Sequence, residues 1–130
     1  QVLYLYFFDL FGVIIDGDNL EKNIINHMIK LTKFTFNIHS NICLNNQINL
    51  PSNEYIQNTF KKFKNNQIVS SVDCFRKSNL FHCHVYSYPY PLIVYKNITN
   101  NFPGGLFKHV RQILLYDENP FEYDYFSSNY

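Results

Sequence analysis

His82 and His84 stand two positions apart in Leu80–Tyr88, so in an extended chain both imidazoles project from one face. Imidazole titrates near neutral pH, and such a pair could pass a proton in general acid–base catalysis, with His109 as a further candidate. The competing reading is packing, because histidine commonly sits at intermediate burial. Asp73, Glu54, Asp117, Glu118, Glu122 and Asp124 are available carboxylates, yet none stands at a recognisable catalytic spacing from these histidines. Two imidazoles are too few ligands for zinc and the cysteine spacing matches no zinc pattern, so neither a metal nor a cofactor is expected. Tyr86, Tyr88 and Tyr90 continue the histidine face and could stack on bases or form a protein-contact surface. The basic residues Lys61, Lys62, Lys64, Arg76 and Lys77 are scattered, and the formal net charge is only +1, so the electrostatic case for RNA is modest.

Extended elements must carry most of these residues. Ile68–Phe75 and Leu80–Tyr88 flank Arg76-Lys77-Ser78-Asn79, a hairpin composition. A two-residue turn at Ser78-Asn79 would set Cys74 opposite Cys83, where a cross-strand disulfide could form. Val2–Phe8, Val110–Tyr116 and Phe121–Phe126 also read as strands, and Pro89 and Pro91 require the Tyr-rich strand to end there or to lie at an edge, with an Asn-rich loop following Leu92–Tyr95. Asp18 followed by Glu21 reads as a capping box opening a helix over residues 19–33, with Leu20, Ile24, Met28 and Leu31 at helical spacing. Residues 34–50 read as loop with one short strand near Asn37–Cys43, and Glu54–Lys64 as a second short helix. Gly104-Gly105 permits close approach of a ligand or a neighbouring strand.

The chain has 130 residues, which fits one domain, and its 46% hydrophobic and 18% aromatic content supplies a core. Ala is absent while Tyr and Phe abound, a composition that leans toward sheet. The apolar start is far shorter than the roughly 20 residues of a membrane span, so no membrane partner is expected. A secreted chain is expected, with Gln1 as a new N-terminus and Asn97-Ile98-Thr99 as a glycosylation sequon at Asn97. Cys43, Cys74 and Cys83 allow at most one internal disulfide.

The order strand, capped helix, hairpin, Tyr88-Pro89-Tyr90-Pro91-Leu92-Ile93, Gly104-Gly105 and an Arg-led apolar strand resembles the small fungal ribonucleases of the T1 and N1 types. The start, Tyr6–Ile15, resembles more closely the secreted RNase-like effectors of powdery mildew fungi. The resemblance implies an α+β fold, ribonuclease T1-like, with one N-terminal α-helix packed on an antiparallel β-sheet. It also implies lost catalysis: the family's Glu falls on Pro89, its first His near Ser52 and its last near Ser127 or Ser128. Its Arg survives as Arg111, which could grip phosphate through charge-assisted hydrogen bonds or serve as a structural cation. The family's disulfide to the C-terminal end has no counterpart, since no cysteine follows Cys83.

The implied protein is a monomeric pseudo-ribonuclease delivered into host tissue. Its expected partners are a host plant protein, an immune receptor, and RNA. Arg111, His109, Tyr88, Tyr90, Lys61 and Lys62 are the candidate contacts. An active ribonuclease with rearranged histidines, and a structural or toxin-inhibiting protein sharing the scaffold, are the rivals.

Overall fold

Runs rich in Tyr, Phe, Ile and Thr are extended in the computed structural model, which describes residues 2–45, 49–63, 67–88, 93–104 and 108–121, with only the backbone given for Phe8, Asp9, Leu10 and Asn97. Two units, Gln1–Tyr90 and Pro91–Tyr130, hold most of their contacts internally. In the first, β1 (Val2–Phe11), β2 (Lys33–Cys43), β3 (Gln67–Phe75) and β4 (Leu80–Tyr88) form a four-stranded sheet in the order β1-β2-β4-β3. β1 runs parallel to β2, and the other pairs are antiparallel. The fold is therefore α+β with a mixed sheet, which corrects the expectation of an antiparallel one. The chain leaves β1 through a helical crossover and returns to start β2 in the same direction, as a parallel pair requires.

That crossover holds α1 (Gly17–Asn23) and a short 3-10 turn, Ile25–His27, in place of one helix over 19–33. Asp16, not Asp18, is the N-cap: its carboxylate accepts from Asn19 N–H at 2.9 Å, while Asn19 Oδ1 accepts from Asp16 N–H at 3.2 Å. The start is set by packing. Gly17 N–H donates to Thr59 Oγ1 at 2.8 Å, and a Cβ on Gly17 would lie 2.1 Å from the Thr59 carbonyl oxygen. Asn23 and the β-branched pair Ile24-Ile25 are weak helix formers, and Ile24 departs from helical geometry at φ −125°. Ile29, within the stretch read as helix, is 97% exposed.

α2 (Asn53–Thr59) is the second short helix, and Ser52 caps it by accepting from Tyr55 N–H at 3.0 Å. Ser52→Ala is expected to cost about 1 kcal/mol, read as a lower urea midpoint at unchanged m-value.

The helices cover one sheet face. Phe34, Phe36 and Ile38 of β2 and Phe81, Cys83 and Val85 of β4 meet Leu20, Ile56 and Phe60 there. Phe34, Phe36, Phe60 and Phe63 form a chain of rings with successive centroids 5.1, 5.6 and 5.3 Å apart. Fully burying one such ring stabilises by about 1.5–3 kcal/mol, which makes this the main cohesive layer. The hairpin turns where its composition indicated. Phe75 pairs with Leu80 and Asn79 takes φ +56°, a conformation that Asn tolerates.

In the second unit, β5 (Val94–Ile98) lies parallel to β6 (Gln112–Leu115). Asp117 ties the following loops: Oδ2 accepts from Asn100 N–H at 2.8 Å and from its side-chain amide at 3.0 Å, and Oδ1 accepts from Asn119 N–H at 3.0 Å. Tyr95 packs edge-on against Phe102 at 5.1 Å. The strand expected at Phe121–Phe126 lies, beyond its first residue, outside the described residues. Among those residues no helix is long and apolar enough to cross a membrane.

Candidate functional site

Side chains alternate across a strand, so the sheet face opposite the helices collects Asn37 and His39 from β2, His82, His84 and Tyr86 from β4, and Ser71 and Asp73 from β3. Register brings them together: His39 is opposite His84, Asn37 opposite Tyr86, Asp73 opposite His82 and Ser71 opposite His84. The alternation read from the sequence for His82, His84, Tyr86 and Tyr88 matches this pairing, whereas Tyr90 lies outside the described residues.

His39 is the member that sequence reasoning missed. Its ring stacks on His84 with centroids 3.7 Å apart and planes 18° from parallel, and on His82 at 5.4 Å and 29°. His39 Nδ1 lies 3.3 Å from His82 Nε2, so one ring donates and the other accepts. His84 Nε2–H donates to Asn37 Oδ1 at 2.8 Å, and its ring tilts against Tyr86 at 4.8 Å. His39, His82 and His84 are each only 3% exposed. Burial, then the neighbouring His39 and His82, holds the His84 imidazole well below its ordinary value, so the stack is built around a neutral ring. Among the described residues, Asn37 Nδ2 and Ser40 Oγ are buried with no hydrogen-bond partner.

No group of three or more His, Cys, Asp or Glu side chains that could hold a metal ion occurs among the described residues. The 3.3 Å contact between His39 and His82 is a hydrogen bond within a buried layer, where both rings are only 3% exposed.

The other expected contacts fall in both units. Lys61 and Lys62 follow α2 on the surface, and Lys62 is engaged by Glu21 and, at 2.9 Å, by Asp18. Hydrogen bonds to those carboxylates, Glu21 first, raise its ammonium above the ordinary value. Asp18 and Glu21 thus anchor Lys62 instead of capping the helix. Tyr88 ends β4, half-buried. In the second unit the side chains of His109 and Arg111 are exposed, and Arg111 N–H donates to Ile93 O at 2.8 Å. Ser52, expected where the family keeps a histidine, is a helix cap. Pro89 and Ser128 lie outside the described residues, and Asn97 falls in β5 with its side chain undescribed.

The expected Cys74–Cys83 disulfide is not formed; all three cysteines are free. The turn spans four residues, so Cys74 pairs with Phe81 and Cys83 with Val72. Burial, followed by the charges of Asp16 and Asp73, pushes the Cys83 thiol up to about 12, which leaves it a core side chain without nucleophilic character.

A cleft of about 610 Å³ opens in the first unit between Ile14, Ile42, Leu50 and Ile56, with Tyr55 at its rim. Its polar groups include Asp16 and Ser52, both committed to helix caps. What it offers is an apolar recess.

Comparison of the chain with family models, with curated proteins and with solved structures finds no match.

Proposed function

We propose that this chain is a secreted, non-catalytic, RNase-like effector that works by binding a host plant protein, with RNA as a weaker ligand and a host immune receptor as a reader of its surface. The observation that carries the reading is the burial of the clustered imidazoles, each 3% exposed. So buried, His39, His82 and His84 offer a substrate neither acid nor base, and Arg111 by itself can grip a phosphate but not cleave it. The apolar cleft beside Tyr55 suits a protein side chain better than a phosphate. The ribonuclease T1-like lineage is part of the proposal. Its support is the order of strand, helix, hairpin and Arg-led strand, together with helices layered on one sheet face.

One contact favours the rival enzyme: His39 Nδ1 and His82 Nε2 lie 3.3 Å apart with Asp73 in register beside them. Incubation of purified chain with labelled single-stranded RNA separates the two readings. No cyclic-phosphate product is expected. Turnover that copurifies with the chain and disappears in His82→Ala would establish the enzyme and end the binding-only reading.

A further inference from the structure

β1 lies at an edge of its sheet, and among the described residues it pairs with β2 alone. An edge strand presents backbone donors and acceptors to any chain that can align with them, and natural sheets blunt such edges with Lys, Pro, inward charges or bulges. Over Val2–Phe7 this strand has none of those devices: its register break lies beyond Phe7, and its one charged residue is Asp9. Val2, Tyr4 and Tyr6 line one face of the strand, 54%, 60% and 51% exposed, and Phe7 on the other face is 39% exposed. A β-prone, uncharged and open segment of this kind is a pairing surface.

We infer that the β1 edges of two copies of this chain pair antiparallel about a twofold axis, joining their sheets into one. An isologous contact requires a self-complementary surface, and this strand supplies one. Pairing centred on Leu5 sets Tyr4 of each copy opposite Tyr6 of the other and Leu3 opposite Phe7, with no like charges across the seam. At roughly 200 Å² per side chain, of which only about half is exposed in Val2, Tyr4, Tyr6 and Phe7, these residues bury at most about 800 Å² over both copies. That is below the roughly 1,200 Å² at which stable interfaces begin, so backbone hydrogen bonds carry much of the affinity and the dimer is weak and concentration-dependent. The inference replaces the monomer expected from the sequence and is independent of the effector reading.

Sedimentation equilibrium over a wide concentration range tests it. The mass is expected to climb from 15.6 kDa toward twice that value. In the unmodified protein, amide exchange over Val2–Phe7 should slow as concentration rises while β3, the other edge, is unaffected. Tyr4→Lys with Tyr6→Lys, both on exposed side chains, should weaken association by at least ~10-fold through facing Lys pairs. Tyr55→Lys, away from the seam, should leave it unchanged. A single monomeric mass at all concentrations, or a dimer that survives the double variant with β1 exchange unaltered, overturns the inference.

Discussion

Acidification from about pH 6.5 to about pH 5 is expected to lower the free energy of unfolding, at up to about 1.4 kcal/mol per pH unit for each proton taken up on unfolding. The source is His84, whose imidazole is held well below its ordinary 6.5 by burial and by the neighbouring His39 and His82. Below about pH 6.5 the unfolded chain binds a proton there that the folded chain refuses, so acid draws the equilibrium toward unfolding. This contribution is fully present above that pH, is lost progressively as the pH falls toward the depressed folded-state value, and levels off beneath it. Urea unfolding followed by circular dichroism at stepped pH measures the profile. His84→Gln should remove about one proton's worth of slope, and a wild-type profile flat across this window would refute the account.

Gly17→Ala is expected to destabilise by about 1–3 kcal/mol, the scale of forced overpacking in a closed contact. Helix propensity alone points the other way, since Ala in place of Gly favours a helix by about 1 kcal/mol. The tertiary contact decides the sign. The new Cβ would sit 2.1 Å from the Thr59 carbonyl oxygen and 2.9 Å from Phe60 N, both backbone atoms that no rotamer change can move. Relief requires α1 to separate from α2, which strains the 2.8 Å bond from Gly17 N–H to Thr59 Oγ1 and loosens Leu20 and Phe60 in the core. Equilibrium urea unfolding reads the change as a lower midpoint. A neutral or stabilised Gly17→Ala protein would mean that the two helices do not meet this closely in solution.

Local chemistry was enough for several elements. Alternation in Leu80–Tyr88 separates the histidine face from the Cys83 and Val85 face, and Arg76–Asn79 has the composition of a turn whose last residue tolerates positive φ. These features depend on neighbours within a few residues, so a single sequence displays them.

What the sequence could not decide depends on partners distant in the chain. The stretch from residue 34 looked like loop with one short strand near Asn37–Cys43 because its outward residues are polar, yet Lys33–Cys43 is one inner strand whose Asn37 and His39 are buried against β4. The apolar spacing after Leu20 looked like one long helix, but the crossover to a parallel β2 broke it after Asn23. Cys74 and Cys83 looked pairable until a four-residue turn moved their register, and the capping role of Ser52 on α2 had no signal in the sequence reading. Composition and periodicity determined that the chain is sheet-rich and where its hairpin turns. Tertiary register alone decided that His39, His82 and His84 stack, because a hydrogen-bonded ladder fixes which side chains of remote strands face each other and no short-range pattern encodes that choice.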